Sequence, residues 1–200
     1  PNGTLENAIV KKPVWWNETR KLKAIIGIAS ALAQMFALNI THRDLKPSNI
    51  LMNEKYQPVI CDFGCARQFV SDEHNNMSNK VGTPIYEAPE LFIIKFPPKY
   101  TYEVDSYAFG IILFQILSGC IINEIYPSDL KKNNIYDYKL SDFKRDPPEN
   151  THTLFWSLIE SCWNVSFNKR PDPPTIYSAL IEAINKGENL LPGADMTDVI

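Results

Sequence analysis

Four polar side chains lie in or just after one short stretch of the sequence, and together they could act on a phosphate. Asp44, Lys46 and Asn49 fall within six residues, and Asp62 follows shortly afterwards. A carboxylate can accept the proton of an attacking hydroxyl, and an ammonium can meet a phosphate as a point charge. Amide and carboxylate oxygens are ligands that Mg²⁺ accepts. This set of groups predicts a site for moving a phosphoryl group.

The spacing suggests a role for each of these side chains. Asp44 has no neighbouring carboxylate, so it can remain ionised and serve as the base. Lys46 lies two residues on, and alternate side chains of an extended loop point the same way, so its ammonium can share the face of Asp44. Asn49 and Asp62 are predicted to bind the metal, because Mg²⁺ prefers few protein ligands together with phosphate oxygens and water. Pro47 fixes one backbone dihedral and stiffens the loop between Asp44 and Asn49.

Parts of this pattern have ordinary explanations when they are taken singly. An Arg43–Asp44 pair alone is usually a surface salt bridge, and the tripeptide at 62–64 alone is usually a turn. Their occurrence together, in this order and with a strand-like run between them, favours a functional site over chance.

Three motifs resemble those of eukaryotic protein kinases. Residues 42–49 (HRDLKPSN) resemble the catalytic loop, residues 62–64 (DFG) the metal-binding turn, and residues 88–90 (APE) the end of the activation segment. The resemblance runs from the first residues to about Leu180. It implies a mainly α fold, namely a protein-kinase-like C-terminal lobe with a short β-hairpin at the active site. We expect this lobe to span residues 1–186 and residues 187–200 to form a frayed C-terminal tail.

The resemblance also implies an activity. It predicts a serine/threonine protein kinase that uses ATP and Mg²⁺ to phosphorylate hydroxyl groups of a protein substrate. Residues 82–86 (GTPIY) resemble the loop that receives the substrate peptide, and there Thr83 would hydrogen-bond to Asp44 and Lys46. A lysine after the base with a threonine opposite is typical of serine/threonine kinases. Cys162-Trp163, followed by Arg170-Pro171, resembles the tyrosine-kinase-like branch of that group.

Three apolar or small residues are assigned to the nucleotide by resemblance alone. Leu51 would form the apolar floor of the adenine pocket, Leu5 would pack beneath the adenine ring, and Thr4 would lie near the ribose. Ordinary alternatives remain open, because Leu51 could be plain core and Thr4 could simply cap a helix.

The stretch from Cys65 to Pro89 has little periodicity, and long loops in compact domains are usually functional or disordered. By resemblance it is the activation segment. In the family, an arginine in the place of Arg43 pairs with a phosphorylated hydroxyl on this segment. Ser78 is our candidate and Ser71 the second, which would make an upstream activating kinase a partner. The alternative is a solvated serine that is never modified.

Periodicity predicts the elements that must position these residues. Apolar residues recur at spacings of three and four over 18–38 and lie nearly all round the segment 102–117, which predicts two core helices. Shorter helices are expected over 4–10, 152–162 and 174–185. Two short strands at 50–52 and 58–61 would form a hairpin that brings Asn49 and Asp62 to the same end.

Three charged residues outside the loop are given supporting roles. Asp105 either anchors the catalytic loop by accepting its backbone N–H groups or is a charge favoured by the helix N-terminus; the family pattern, with Gly110 five residues on, favours the anchor. Glu90 and Arg170 are expected to form a buried ion pair with a structural role. Glu87 stands where the family has an apolar residue, so the peptide preference stays open.

Composition indicates which functions need not be considered. The net charge of −3 and the pI of about 5.7 give no indication of binding to nucleic acid or to an anionic membrane. The four cysteines have no C-x-x-C spacing and are expected to be reduced thiols of a cytoplasmic protein. The apolar run at 108–122 is too short to span a bilayer and predicts a buried helix.

The sequence contains no G-x-G-x-x-G motif and no strand lysine before the catalytic loop. We therefore expect the N-terminal β lobe to be absent from this chain and the isolated chain to have little activity, since half a cleft positions ATP poorly. One alternative function is a non-catalytic, pseudokinase-like interaction module, but the retained Asp44, Asn49 and Asp62 favour catalysis. Another is a small-molecule kinase, against which the 88–90 motif argues.

Overall fold

The computed structural model describes residues 2–68, 85–93, 101–121, 147–164 and 166–199, and these parts are mainly helical. The helices are α1 (Leu5–Lys11), α2 (Glu18–Ala37), α3 (Glu90–Ile93), α4 (Glu103–Ser118), α5 (Thr153–Cys162), α6 (Pro173–Asn185) and α7 (Met196–Val199). The strands are β1 (Ile40–Thr41), β2 (Ile50–Met52), β3 (Pro58–Ile60) and β4 (Arg67–Gln68). Short 3₁₀ turns cover Pro47–Asn49, Phe63–Cys65 and Phe167–Lys169.

Helix α2 is the long helix that leads into the catalytic loop. It begins after Asn17, whose side chain caps it by accepting the N–H of Arg20 at 3.0 Å. Its bounds confirm the helix predicted over 18–38. The buried face packs against α4, α6 and β3, and its main apolar members are Leu22, Ile25, Ile28, Ala29 and Leu32.

Helix α4 is the centre of the core. Every residue from Val104 to Ile116 is buried, as expected for a helix that is apolar nearly all round. Gly119 ends the helix at φ +67°, a conformation that favours glycine. Helix α4 also contacts α5 closely, because a Cβ on Gly110 would lie 2.7 Å from the Cβ of Cys162. Within the described ranges, no helix combines the length and the apolar character needed to cross a membrane.

Strands β2 and β3 form the predicted antiparallel hairpin, with Ile50 opposite Ile60. The turn between them is held by Asn53, whose Oδ1 accepts the backbone N–H groups of Lys55 and Gln57, each at 2.9 Å. The start of the chain also pairs with the hairpin, since the N–H of Met52 donates to the carbonyl of Gly3 at 2.9 Å. This pairing places α1 directly beside the hairpin.

A second small sheet joins the two ends of the site region. Strand β1 pairs antiparallel with β4, so that Thr41 lies opposite Arg67. The segment that enters the catalytic loop and the segment that leaves the metal-binding turn are therefore held together.

The segment after Gly187 differs from the expected frayed tail. Leu190 and Leu191 are buried in the core. The N–H of Asp195 donates to the hydroxyl of Thr19 at 2.8 Å, and α7 contacts α2 through an ion pair of 2.7 Å between Lys23 and Asp198. Apolar burial and polar contacts with α2 thus pack this segment onto the domain, a long-range interaction that its own polar composition does not reveal.

Candidate active site

Asp44, Lys46 and Asn49 converge on one carboxylate oxygen. The Nζ of Lys46 lies 2.9 Å from Asp44 Oδ2, and the Nδ2 of Asn49 lies 3.0 Å from the same oxygen. The Asn49 amide also donates to the backbone carbonyl of Asp44 at 2.8 Å. Lys46 has extended backbone angles, φ −158° and ψ 162°, so the expected alternation of side chains is present. The 3₁₀ turn at Pro47–Asn49 then turns the asparagine back towards the base.

The second oxygen of Asp44 is the unusual atom of the site. Oδ1 is buried and has no hydrogen-bond partner among the described residues. A buried acceptor left without a donor is unfavourable by about 1–3 kcal/mol, so such atoms call for a partner. Thr83, which the sequence analysis placed opposite Asp44, lies outside the described residues, and its role stays a prediction. Oδ1 is therefore the atom positioned to accept a hydrogen bond or a proton from another group.

Asp62 reaches the same end of the hairpin as Asn49. The N–H of Cys61 donates to the carbonyl of Asn49 at 2.9 Å, which continues the β2–β3 pairing up to the residue before Asp62. Asp62 is exposed and adopts a left-handed conformation with φ 64°. Aspartate tolerates this conformation better than most residues. The hairpin thus brings Asn49 next to Cys61, the residue before Asp62, as expected.

The donor set fits a magnesium ion. The amide nitrogen of Asn49 is used in both contacts with Asp44, which leaves its Oδ1 as the atom for a metal. Asp62 adds an exposed carboxylate. One amide oxygen and one carboxylate are a typical protein contribution to Mg²⁺, which keeps waters and takes phosphate oxygens for its other positions.

His42 connects the catalytic loop to the metal-binding turn, a role that the sequence analysis did not assign. Its Nε2 lies 2.9 Å from the carbonyl oxygen of Cys61, so this nitrogen carries the proton and donates. Its ring also packs edge-to-face on Phe63, with 5.0 Å between the ring centroids. The signal that could have revealed this role is its place directly before Arg43 in the loop motif. These two contacts hold His42 against the residues on either side of Asp62.

Asp105 anchors the loop from below, as the sequence analysis expected. Its Oδ2 accepts the N–H of His42 at 2.7 Å and its Oδ1 accepts the N–H of Arg43 at 3.0 Å. Desolvation by burial raises the pKa of Asp105, while these two hydrogen bonds and the nearby charge of Arg43 oppose that rise. Arg43 has φ 72°, which is uncommon for a residue with a side chain. The anchor thus holds the loop in a strained conformation next to Asp44.

The residues predicted to contact the nucleotide have mixed outcomes. Leu51 is half-buried and lies in a bridge to Thr4, so it can offer an apolar surface. Leu5 is 0 % exposed, so the expected contact of Leu5 with an adenine ring is wrong, and Leu5 is a core residue of α1. The hydroxyl of Thr4 accepts the N–H of Asn7 at 3.1 Å, which confirms the helix cap, and its place near a ribose stays a prediction.

The activation segment lies mostly outside the described residues, including the phosphorylation candidates Ser78 and Ser71. Its last part is described. Tyr86 and Glu87 line a small cavity together with Arg43 and Asp44. The end of the segment is therefore next to the base, although its middle is not described.

Glu90 and Arg170 form the expected buried ion pair. The two guanidinium NH groups lie 2.7 Å from Oε1 and 2.7 Å from Oε2, a bidentate arrangement. The Nε of Arg170 donates to the carbonyl of Asn164 at 2.9 Å, so the guanidinium is well satisfied. The pair fastens the end of the activation segment to the loop before α6, which supports a structural role.

Comparison with known proteins agrees with this geometry. The family model described as "Protein kinase domain" matches residues 1–180. A probable serine/threonine-protein kinase of Dictyostelium discoideum is 32% identical over 91% of this chain and 19% of its own length. The probable serine/threonine-protein kinase roco5 of the same organism is 35% identical over 90% of this chain and 7% of its own length.

A third relative broadens the group. A dual serine/threonine and tyrosine protein kinase of Xenopus laevis is 32% identical over 77% of this chain and 16% of its own length. The chain spans less than a fifth of each of these three relatives. Because the family model covers nearly the whole chain, and because the loop, the turn and the buried ion pair have the expected arrangement, this chain belongs to the protein kinase domain family.

Proposed function

We propose that this chain is the catalytic lobe of a serine/threonine protein kinase, which transfers the γ-phosphoryl group of ATP to a hydroxyl of a protein substrate. The observation that carries the proposal is the state of Asp44. Lys46 and Asn49 hold its Oδ2, and its buried Oδ1 has no partner among the described residues. A base needs a fixed orientation and an available acceptor atom, and both are present.

In the proposed reaction, each side chain of the site has one task. The substrate oxygen forms a bond to the γ-phosphorus, the bond from that phosphorus to the β–γ bridging oxygen breaks, and Asp44 Oδ1 takes the hydroxyl proton. Lys46, which is already paired with Asp44, places a positive charge beside the transferring phosphate. Asn49 Oδ1 and Asp62 would hold Mg²⁺, which supplies charge neutralisation at the phosphates when it is bound.

We infer that the adenine ring lies on the outward face of the hairpin. Leu51 and Val59 are opposite each other in the register and so share this face, and Val59 is 45 % exposed. Phe63 adds a ring that is 48 % exposed near Asp62. This apolar surface on one side of the site fits the flat face of an adenine ring. The opposite face of the ring would be covered by the N-terminal lobe that kinases use to close the nucleotide cleft.

We further propose that the isolated chain has little or no activity and that it works as part of a longer, cytoplasmic signalling kinase. With half a cleft, one face of ATP remains in water and its reacting phosphate is poorly positioned. Phosphorylation of a generic substrate by this polypeptide alone, abolished by Asp44→Asn, would overturn this part of the proposal.

Activation by phosphorylation of Ser78 is a separate proposal. Arg43 lies next to the base, and a phosphoserine could pair with its guanidinium. The test is Ser78→Ala in a two-lobed kinase domain that contains this chain, with Ser71→Ala as the matched variant. Activity that is unchanged in Ser78→Ala eliminates this site as a switch.

The direct test of the proposed function measures transfer of labelled phosphate by the two-lobed domain to a protein substrate, followed by identification of the modified residue. We expect phosphoserine or phosphothreonine, and Asp44→Asn should reduce kcat by about 100-fold or more. Asp198→Asn, which changes an exposed carboxylate on α7, is the control and should have no effect. Labelling of tyrosine alone, or full activity in Asp44→Asn, would contradict the assignment.

The second candidate is a pseudokinase-like module that binds partners without catalysis. It predicts that Asp44→Asn leaves every function of the full-length protein intact. Among the described residues Asp44 Oδ1 is buried without a partner, which favours catalysis, because a binding module gains nothing from an unsatisfied buried carboxylate oxygen.

A further inference from the structure

Tyr56 has a backbone conformation that is unusual for an aromatic residue. It lies in the turn between β2 and β3 with φ 59°, in the left-handed region. Among the described residues it is the only aromatic residue with a positive φ. Glycine is the default residue for this conformation, because the Cβ of other residues makes it unfavourable. A tyrosine at this position indicates that its ring has a task that glycine could not perform.

The ring of Tyr56 contacts two residues near the start of α2. Trp15 lies in the loop before the helix, with 4.9 Å between the two ring centroids, and the guanidinium carbon of Arg20 lies 4.8 Å from the Tyr56 centroid. Trp15 also packs edge-to-face on Trp16, which is buried in the core. Aromatic and cation–π contacts of this kind hold a ring in place. Trp15, Arg20 and Tyr56, which we call the turn clamp, therefore tie the hairpin turn to α2.

A second contact holds the hairpin to α2 further along the helix. A Cβ on Gly27 would lie 2.5 Å from Cγ of Pro58, so the Pro58 ring sits directly on the helix backbone. Gly27 follows Arg20 by two helical turns, which is about 10 Å along the same helix face. The pairing of Met52 with Gly3 holds only the other edge of the hairpin, on β2. On the side of α2, one contact would let the hairpin pivot, whereas two contacts spaced along a rigid helix define its direction.

The opposite end of this hairpin carries the two predicted magnesium ligands. Asn49 lies directly before β2, and Asp62 follows β3 after one residue, Cys61. The N–H of Cys61 donates to the carbonyl of Asn49 at 2.9 Å, so the two segments stay paired up to this end. Leu51 and Val59, which are proposed to face the adenine ring, lie between the two ends. A change in the direction of the hairpin would therefore move both the metal ligands and the adenine surface.

We propose that the turn clamp positions the nucleotide site: it fixes the turn of the β2–β3 hairpin on α2, and the paired strands carry that direction to Asn49 and Asp62. This inference rests on the proposed kinase function. The three clamp side chains are positioning residues, because they act through the hairpin and lie at the end opposite the metal ligands. The consequence is a specific effect on ATP with Mg²⁺. The protein substrate should be handled normally, because Asp105 anchors the catalytic loop separately.

Three substitutions of Tyr56 separate a positioning role from a purely structural one. Tyr56→Phe keeps the ring and its contacts, since phenylalanine also accepts a cation on its face. Tyr56→Ala loses the ring and keeps the unfavourable φ, so it should be less stable than the wild type. Tyr56→Gly loses the ring but relieves the backbone, so its stability should lie closer to that of the wild type. If the ring positions the hairpin, the alanine and glycine variants should share one defect although their stabilities differ.

The first experiment uses this 200-residue chain and does not depend on activity. Hydrogen exchange at the amide of Cys61, which bonds to Asn49 at the metal end of the hairpin, is measured together with thermal unfolding. We expect exchange to be about fivefold faster in Tyr56→Ala and Tyr56→Gly, the ratio for the loss of one ring contact, and unchanged in Tyr56→Phe. Faster exchange confined to the turn at 53–57 would overturn the proposal. So would exchange that follows stability, fast in the alanine variant and normal in the glycine variant.

Glu54→Ala is the matched control. Glu54 is an exposed residue of the same turn and is not part of the turn clamp. Exchange at the Cys61 amide should keep the wild-type rate in this variant. Faster exchange there in Glu54→Ala would mean that any substitution in the turn disturbs the hairpin, which would also overturn the proposal.

The second experiment measures ATP binding and kinetics in a two-lobed kinase domain that contains this chain. Calorimetry with ATP and Mg²⁺ should give a Kd about fivefold higher in Tyr56→Gly than in the wild type. KM for ATP should rise by a similar factor, while KM for the protein substrate stays within twofold. An unchanged Kd, or an equal rise in both KM values, would contradict the positioning role.

The failure of this inference and the failure of the proposed function give different results. If Asp44→Asn retained full activity, the proposed function would fail, whereas a raised Kd for ATP in Tyr56→Gly would still support the turn clamp. If Asp44→Asn were inactive and the Kd in Tyr56→Gly were unchanged, the proposed function would stand and the turn clamp would be refuted.

Discussion

The carboxylate of Asp105 binds the backbone of His42 across 63 positions of sequence, at 2.7 Å. Its other oxygen accepts the N–H of Arg43, so one buried side chain satisfies two consecutive backbone donors of the catalytic loop. The orientation of Asp44 therefore depends on a buried residue of helix α4.

Asp105→Asn should destabilise the domain. The amide presents an NH₂ group to one of the two backbone donors, which is left without an acceptor, so we expect a loss of about 1–3 kcal/mol in the free energy of unfolding. Urea unfolding measures it. Asp172→Asn is the control: Asp172 caps α6 by accepting one N–H at 2.8 Å, and asparagine is an equally good cap. Equal losses in the two variants would refute the anchoring role.

Breaking the Glu90–Arg170 pair should be costly. Arg170→Met strands a buried carboxylate, and we expect a loss of about 3–5 kcal/mol, with a smaller loss when Glu90→Gln is added. Lys186→Met, which breaks the exposed pair of Lys186 with Glu182, should change stability far less, because exposed ion pairs contribute little. Thermal or urea unfolding gives all of these values. If the double variant loses as much free energy of unfolding as Arg170→Met and Glu90→Gln lose together when measured singly, the two residues do not stabilise each other.

Gly110→Ala should destabilise the domain although alanine favours helices. The added Cβ would lie 2.7 Å from the Cβ of Cys162 and 2.8 Å from Cδ1 of Trp163. Overpacking of this kind is unfavourable by about 1–3 kcal/mol, more than the gain in helix propensity. The midpoint of urea unfolding should fall, whereas Ser178→Ala on the exposed side of α6 should leave it unchanged or raise it. A rise in Gly110→Ala would mean that α4 and α5 are less closely packed.

Stability should decline at alkaline pH in part because of Cys162. Burial raises the pKa of this thiol from 9.0 to about 12. Above pH 9 the unfolded chain loses a proton that the folded chain keeps, so stability falls as pH rises, by up to about 1.4 kcal/mol per pH unit for one group. We expect the Cys162→Ala variant to be less stable than the wild type overall. Its stability should nevertheless decline less steeply between pH 9 and pH 10. An unchanged slope in Cys162→Ala would contradict the burial argument.

The local pattern predicts the elements that surround the candidate site. The bounds of α2 and the β2–β3 hairpin follow from periodicity and short motifs, because those features depend on neighbours in sequence. The anchoring role of Asp105 spans 63 positions and is implied by the resemblance to the family. The hydrogen bond between Tyr86 and Gln115 joins residues 29 positions apart and leaves no local signal.

Sequence alone predicts the burial of side chains poorly in two places. The resemblance places Leu5 beneath an adenine ring, but Leu5 lies in the core. The composition after Gly187 predicts a frayed tail, but Leu190 and Leu191 are buried. Both depend on which distant element covers a residue. An apolar side chain in a short helix can face a ligand or a neighbouring strand, and only the packing of α1 beside the hairpin distinguishes these outcomes.

The central claim is that Asp44, Lys46, Asn49 and Asp62 surround one metal–nucleotide terminus, and paramagnetic broadening by Mn²⁺ tests it most directly. A two-lobed kinase domain that contains this chain is titrated with Mn²⁺ in saturating ATP and followed by NMR, with Mg²⁺ as the diamagnetic reference. We expect resonances of all four residues to broaden while those of α6 stay sharp, and Asp62→Asn should abolish the effect. Broadening confined to exposed carboxylates such as Asp198, with Asn49 and Asp62 unaffected, would contradict the account.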